Sequence, residues 1–247
     1  MSRPDGIRLQ VYLARSGIGS RRNNERLIES GGVSVNGIPV TRQGVLVTDR
    51  DTVRVGKKTV RPVNHRVYVA LNKPRNFLCA AKDGFGRRLA SELIDPRIRA
   101  RVFHVGRLDY RSSGLIFYTN DGAFAQAVMH PSMGVEREYL VTALTSIGRA
   151  SLERFRNGMR IGSTVYRAKR YSQNSPHKAL ITLLEGKHRE IREVFAHEGI
   201  VISTIHRVRV GVVSVRDIPV GGIRTLKKSE VAWFFDRAKN RPHTLWP

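Results

Sequence analysis

Five segments between residues 67 and 215, "VYVAL", "SGLIFYT", "REYLVTA", "KALITLL" and "IHRVRVGVVSV", are rich in β-branched and aromatic residues and read as strands. Helical candidates fall among them, near Gly122–Met129, Ile147–Asn157 and Arg189–His197. No other feature restricts the fold as much, because strands interleaved with helices in this way predict a mixed α+β domain. Cys79 is the only cysteine in 247 residues, so no intramolecular disulfide can form and the fold must rest on buried cores; the length allows two of ordinary size. A lone cysteine fits a reducing compartment, and its ordinary role is that of a small buried hydrophobe.

Residues 1–60 carry a different pattern. Ile7, Leu9, Val11, Leu13 and Ala14 fit a short helix in part, and "SGIGS" interrupts it with two glycines. Ser20 is placed to cap a second helix, "RRNNERLIESGG", with Leu27 and Ile28 on its buried side, Gly31 or Gly32 at its end and Arg21, Arg22 and Arg26 on its other face. The Asn36-Gly37 pair in "VSVNGIPV" predicts a hairpin, and "TVRV" adds a strand. The run from Ile7 to Val40 together with "DTVRVGKKTV" resembles the S4-type RNA-binding domain, in the arginine pair after the glycine turn and in the "VSVNG" hairpin. The resemblance implies a small helix-helix-hairpin (αL) unit whose Arg8, Arg21, Arg22 and Arg26 grip RNA phosphates and shape without reading bases; a solvated helix face is the alternative. Gln10 stands where these domains commonly have aspartate, a swap that would alter a local hydrogen bond. Gly56 to Arg66, "GKKTVRPVNHR", lacks periodicity and reads as a linker. The expected division is therefore an RNA-binding domain over 1–60, a linker over 61–66 and a catalytic-sized domain over 67–247.

Lysine and arginine outnumber aspartate and glutamate by 44 to 20, a net charge of +24. Residues 1–60 hold +6 of it, so the excess is spread over both parts and is not a detachable tail. A chain this far from neutrality repels itself unless a polyanion binds it, which makes a nucleic acid the expected partner and a merely basic surface the alternative. No apolar run approaches the roughly 18 residues of a membrane span, and "MSRPDGIR" lacks the apolar core of a secretion signal. A cytoplasmic protein without membrane contact is expected, with a monomer as the default.

The motifs that are missing narrow the chemistry. The eight histidines are dispersed, and none pairs closely with another His or a Cys as zinc requires, so no metal site is expected. "GIG" at Gly17–Gly19 follows a helix and lacks a third glycine, and no phosphate-loop lysine pattern occurs, so no nucleotide cofactor is expected. Any reaction must then run on side chains acting directly on the bound polyanion. In "HVGRLDYRSSGLIFYTNDG", Asp109 lies between Gly106 and Gly114, where the backbone can turn sharply or be approached closely by a ligand. By spacing alone, a turn aspartate bonded to its own backbone explains it as well as a catalytic carboxylate does.

The same stretch resembles the catalytic loop of bacterial ribosomal-RNA pseudouridine synthases of the RsuA and RluB type. "LNKP" at Leu71–Pro74, "HP" at His130 and Pro131, "EREYLV" at Glu136–Val141 and "EGKHREIREVFAHEG" at Glu185–Gly199 follow in the family's order, and the likeness runs from Arg8 to about Leu226. It implies a catalytic domain with a mixed, mainly antiparallel sheet flanked by helices. It also implies that Asp109 is the essential carboxylate, Tyr139 the aromatic that contacts the target base, and Arg192 the guanidinium paired with Asp109. Ile205 would form an apolar wall, and Arg107 would enter the space left by a flipped nucleotide. Lys187 and Arg189, near the start of the helix carrying Arg192, would add phosphate contacts together with that helix's amides. Ser112 stands where threonine is usual, and Glu190 and Glu193 where glutamine and arginine are frequent; these departures bear on which RNA segment docks.

Pseudouridylation breaks the bond from ribose to the uracil ring nitrogen, turns the base and rejoins it through ring carbon five. Nothing is oxidised and no group leaves, so the resemblance implies no cofactor. An anionic Asp109 would attack the sugar or remove a sugar proton, alternatives the sequence leaves open. A neighbouring arginine would orient the carboxylate, and Tyr139 and Ile205 would confine the detached base. The implied partner is ribosomal RNA or a pre-ribosomal particle, with large-subunit RNA slightly favoured over small-subunit RNA. An inactive ribosome-assembly factor would share the charge and the fold, and the joint presence of Asp109, Tyr139 and Arg192 argues against it. A DNA-binding protein is disfavoured because no helix-turn-helix, zinc-finger or basic-zipper pattern occurs.

Overall fold

The computed structural model describes residues 6–239. Residues 1–5 of the segment read for a secretion signal, and 240–247 of the second expected domain, lie outside the described residues. Two compact units are present, one formed by the chain up to Arg66 with Arg99–Arg101, and one by Val67–Ile98 and the chain from Val102 onward.

The first unit runs β1 (Ile7–Arg8), α1 (Leu9–Arg15), α2 (Arg21–Glu29), β2 (Val33–Val35), β3 (Ile38–Pro39), β4 (Leu46–Val47), β5 (Val53–Val55) and β6 (Lys58–Val60). Ser20 caps α2, its Oγ accepting the Asn23 N–H at 3.2 Å. Beyond Glu29 the chain turns at Gly31, with the amides of Gly31 and Gly32 closing on the Ile28 and Leu27 carbonyls. Asn36 and Gly37 both take positive φ, 52° and 84°, as the two-residue turn between β2 and β3 requires. Leu13, Ile28, Val33 and Val53 form the centre of this unit's core. Gln10 is buried beside them, and among the described residues its Oε1 has no hydrogen-bond partner, while Asn24 Nδ2 donates to the carbonyls of Gln10 and Gly19. Glutamine at this position therefore leaves one acceptor unsatisfied.

The segment expected as a linker is not uniform. Lys58–Val60 is β6, folded onto β5 through Gly56, which takes φ +54°. Residues 61–66 carry no helix or strand, and the Val63 N–H donates to the Arg15 carbonyl at 2.9 Å. The hairpin escaped the sequence reading because its second strand is only three residues long, too short to show a period.

The second unit comprises β7 (Tyr68–Lys73), β8 (Phe103–Val105), β9 (Ser113–Thr119), α3 (Gly122–Met129), β10 (Arg137–Ala143), α4 (Arg149–Asn157), β11 (Met159–Ile161), β12 (Thr164–Tyr166), β13 (Arg170–Ser175) and β14 (Lys178–Leu183), then α5 (Glu190–His197), β15 (Ile202–Val210), β16 (Val213–Ser214), β17 (Ile223–Thr225) and α6 (Lys228–Lys239). Each strand and helix read from the sequence pattern is present within a few residues. The short strands β8, β11, β12 and β17, the polar strand β13 and helix α6 are additions. The main sheet has the order β13-β14-β10-β15-β9-β7-β17, antiparallel throughout except for the β15–β9 pair. On one of its faces Phe117, Phe124 and Phe234 meet with tilted to edge-on rings 5.4–6.0 Å apart, which docks α3 and α6 and fixes that side of the sheet.

One irregularity positions everything that follows. β9 pairs with β7 along one edge, but its other edge is shared: β15 holds it at Ser113 and Gly114, and β8 holds it at Phe117–Thr119. The sheet is split between those two points. The loop Gly106–Ser112, which joins β8 to β9, crosses the split.

Candidate active site

The split is closed by a side chain. Arg207, 5% exposed on β15, donates from Nε to the Leu115 carbonyl at 2.6 Å, filling a position that a ladder partner would otherwise occupy. β15 can come this close only because residue 114 is glycine: its φ is +108°, and an added Cβ would lie 2.3 Å from the Arg207 carbonyl oxygen and 2.5 Å from its nitrogen. The sequence reading placed a sharp turn or a ligand at these glycines. Gly106 does turn, with φ +72°, but Gly114 is approached by a neighbouring strand. The loop between them is braced from several sides: Ser112 N–H donates to the Asp109 carbonyl, Asn76 N–H to the Tyr110 carbonyl, and His104 Nδ1 to the Gly106 carbonyl.

Behind the loop opens a cavity of about 990 Å³, lined by Gly106–Ser112, by Tyr139, Ile205 and Arg207 from the sheet, and by Gly186–Arg192 leading into α5. Asp109, Tyr139, Arg192, Ile205 and Arg107, which the family likeness implied, and Lys187 and Arg189 all line it. Arg192 Nε lies 3.3 Å from Asp109 Oδ2, and Arg192 Nη2 donates to Ser112 Oγ at 3.2 Å. The Asp109 side chain therefore bonds a residue 83 positions away, and serine at position 112 still supplies the hydroxyl that a threonine would. The Asp109 side chain is 41% exposed and Arg192 21%, whereas Tyr139 and Ile205 are buried in the wall. The sheet register explains the wall: Tyr139 lies opposite Arg207, and Val141 opposite Ile205, with a bulge on β15 beside the Tyr139 pair.

The remaining basic residues differ in how free they are. Arg107 is exposed. Arg189 is exposed and caps α5 in the left-handed region at φ +50°. Lys187 is committed within the fold, with Nζ 2.7 Å from the Val165 carbonyl and 3.0 Å from Glu185. The expectation that the α5 amides attract phosphate needs correction, because Glu190 and Glu193 occupy the first turn and the buried Glu190 already accepts the Lys187 N–H at 3.2 Å. Burial raises the Glu190 carboxyl above its ordinary pKa, with bonds to backbone N–H groups opposing the shift. In the first unit, Arg8 on β1 and Arg21, Arg22 and Arg26 on α2 are all exposed.

Sequence reasoning missed the exposed Arg111, which lines the cavity, and three cations held inside the fold in or beside it. Arg207 is the first; its Nη1 lies 3.5 Å from Tyr139 Oη. Arg137 donates to the carbonyls of Val128, Val135 and Leu184, and burial lowers its pKa. Lys73, fully buried in "LNKP", donates to the carbonyls of Pro74 and Phe77, and burial pulls its pKa down to about 8. For Arg207 a signal was available: the strand period of two puts it on the same face as Ile205. Cys79, buried as expected, lines the same cavity. Among the described residues, no helix is long and apolar enough to cross a membrane.

Comparison with known proteins gives concordant findings. Residues 67–197 match the family model for RNA pseudouridylate synthase, and residues 7–53 match the S4 domain. A Borreliella burgdorferi protein described as an uncharacterized RNA pseudouridine synthase is 39% identical over 229 residues, 91% of each chain. Ribosomal large subunit pseudouridine synthase B of Bacillus subtilis is 35% identical over 231 residues, 91% of this chain and 93% of that one. Among solved structures, a pseudouridylate synthase crystal structure matches with a TM-score of 0.68 at 22% identity, covering 92% of this chain and 99% of that one, which is a likeness of fold.

Proposed function

This chain belongs to the RNA pseudouridylate synthase family, with an S4 domain ahead of its catalytic domain, and on that premise we propose that it converts one specific uridine of large-subunit ribosomal RNA to pseudouridine. The observation that carries the reading is the meeting of Asp109 and Arg192 at 3.3 Å on the wall of a cavity whose sides are Tyr139 and Ile205. The large subunit is favoured by the name of the Bacillus relative.

The geometry supports the following sequence of events. A stacked base hides its glycosidic bond, so the uridine is flipped into the cavity, at a cost of roughly a few kcal/mol that is least in loops. Arg107, exposed on the catalytic loop, fills the space it leaves. Arg189 and the arginines of α2 hold phosphates, offsetting the flipping cost. Arg192 orients the Asp109 carboxylate, which either attacks the ribose C1′ or removes the C2′ proton. The freed uracil, held between Tyr139 and Ile205, turns and rejoins through carbon five. Because the base never leaves, the reaction calls for no redox partner or group donor. The cavity is complete within one chain, so a monomer suffices, and ribosomal RNA as substrate places the work in the cytoplasm.

Tritium release tests this. Wild-type protein incubated with ribosomal RNA labelled at uridine carbon five is expected to release tritium stoichiometrically with one site, and Asp109→Asn to be slower by at least about a thousandfold while still binding the RNA. Equal release by wild type and Asp109→Asn on both large- and small-subunit RNA would replace the enzyme with an inactive assembly factor.

A further inference from the structure

We propose that Arg207 is a catalytic residue that holds a carbonyl oxygen of the uracil while the base is detached and negatively charged; this rests on the pseudouridine synthase reading of the same cavity.

The need for such a group does not depend on which version of the chemistry holds. If Asp109 attacks C1′, the bond from its carboxylate oxygen to C1′ forms as the C1′–N1 electron pair leaves with the base. If it removes the C2′ proton instead, the C2′–H pair becomes the C1′–C2′ double bond and the same C1′–N1 pair leaves. In both, the free uracil is an anion whose charge is shared among N1, O2 and O4. Rejoining reverses this: C5 supplies the pair to C1′ as the Asp109–C1′ bond breaks or as the C1′–C2′ double bond takes its proton back at C2′, then the C5 proton is lost and N1 takes one up. A fixed cation in a poorly solvated wall is the arrangement that stabilises such transient charge most effectively.

Seven arginine and lysine side chains line the cavity against two carboxylates. Both carboxylates are engaged: Asp109 with Arg192, and Glu190 with the Lys187 N–H. Of the cations here that are held by backbone carbonyls, Arg137 is bound by three, Lys73 uses two of its donors on carbonyls, and Lys187 reaches the Val165 carbonyl and Glu185. Arg207 is different. A guanidinium has five N–H donors, and here one is used on the Leu115 carbonyl and one reaches Tyr139 Oη only at 3.5 Å. Arg207 thus combines near-complete burial, a position in the cavity wall opposite Tyr139, no carboxylate partner among the described residues, and donors to spare. An unneutralised charge in such a setting is costly unless a ligand brings the matching one. The wall against which the base would lie is where an anionic base oxygen would supply it.

The test separates charge on the base from structural damage. Transcripts of the large ribosomal RNA are made with uridine or with 5-fluorouridine, whose electron-withdrawing fluorine stabilises the detached base anion by itself. Single-turnover conversion is followed by chromatographic separation of the carbon-linked nucleoside from its isomer after complete digestion, the fluorinated product keeping its fluorine because its C5 has no proton to lose. Arg207→Gln is expected to slow conversion of uridine by about a hundredfold or more, conversion of 5-fluorouridine at least tenfold less than that, and to leave the dissociation constant for RNA within twofold. Equal losses on the two substrates would overturn the proposal while leaving the synthase reading intact, whereas a wild type that converts neither substrate would remove both. Should Arg207→Gln fail to fold, Arg207→Lys carries the test: an ammonium cannot span the Leu115 carbonyl and the base together, so the same selective loss on uridine is expected, and an unchanged ratio between substrates overturns the assignment.

Discussion

Arg21, Arg22 and Arg26 lie exposed along α2, while Arg137 and Arg207 are pinned by backbone carbonyls around the cavity of the second unit. The same side chain is used for two physical tasks. An exposed arginine keeps its hydration and its rotamers, so it adds affinity for any phosphate by releasing counterions, and salt weakens it. A buried arginine has given up its water on folding. Its charge points in a fixed direction in a medium that screens poorly, so it acts on charge that appears during a reaction. A third class marks the limits of both: Arg170 and Arg209 are bound to Glu136 and Glu138, and their charge is spent within the fold. A net charge of +24 therefore says less about this molecule than where its arginines are fixed.

The contrast breaks most severely at Gly114. Alanine there would combine a left-handed φ of +108° with a Cβ 2.3 Å from the Arg207 carbonyl oxygen, a backbone contact that no rotamer can relieve. Relief requires β15 to leave β9, which would carry Arg207 off Leu115 and unseat the catalytic loop. Gly114→Ala is expected to destabilise the second unit by about 4 kcal/mol or more, and to abolish tritium release, in urea unfolding and activity assays run together. A variant that melts like wild type would mean that the strands can separate there freely, and that Arg207 is not held by the sheet.

The exposed arginines predict a smaller and different effect. Replacing Arg21, Arg22 and Arg26 together by alanine is expected to weaken binding to ribosomal RNA by about tenfold at physiological salt and to reduce the slope of log K against log salt by roughly 2. The single-turnover rate on saturating RNA should stay within twofold of wild type. Arg207→Gln should do the reverse, lowering the rate and leaving the salt slope alone. Were the triple variant to lower the saturated rate instead, the division between affinity and chemistry would fail.

How far the sequence revealed this division follows from the range of the interactions involved. Ser20, Asn36-Gly37 and the arginines of α2 were legible because a cap, a turn and a helix face are set within four residues. Strands in the second unit were legible where an apolar run was long, as in Ser113–Thr119, buried from Gly114 onward, or where it alternated, as in Arg137–Ala143. The strand at Lys58–Val60 was too short to show either pattern. The meeting of Asp109, Tyr139, Arg192 and Ile205 came from a family likeness, since no local pattern joins residues that far apart. Arg207 was passed over although its neighbour Ile205 was named. An arginine in a basic sequence reads as surface, and only the split of the sheet, a non-local feature, shows that this one is buried with an unpaired charge. Lys73 was hidden for the same reason.

The third class of arginine gives the smallest effect and the cleanest sign. Glu136 accepts hydrogen bonds from Arg170, Lys169 and Arg209, with its side chain 20% exposed, and these hold its pKa down to about 2 against an ordinary value of 4.5. A carboxylate whose pKa is lowered on folding contributes stability that is fully present above its unfolded pKa and is lost as pH falls through the folded one. Glu136→Gln should therefore destabilise the second unit at pH 7. The loss is only about 1 kcal/mol, because Arg170 and Lys169 are half in water, where such pairs are screened. The difference between wild type and Glu136→Gln in urea unfolding should hold from neutral pH down to about 4.5, then close as pH approaches 2. Tritium release at pH 7 should stay within about twofold of wild type, since Glu136 does not line the cavity. A gap that persists at pH 2 would show that the glutamate acts through packing, and the charge of Arg170 and Arg209 would then have to be counted with the free cations available to RNA.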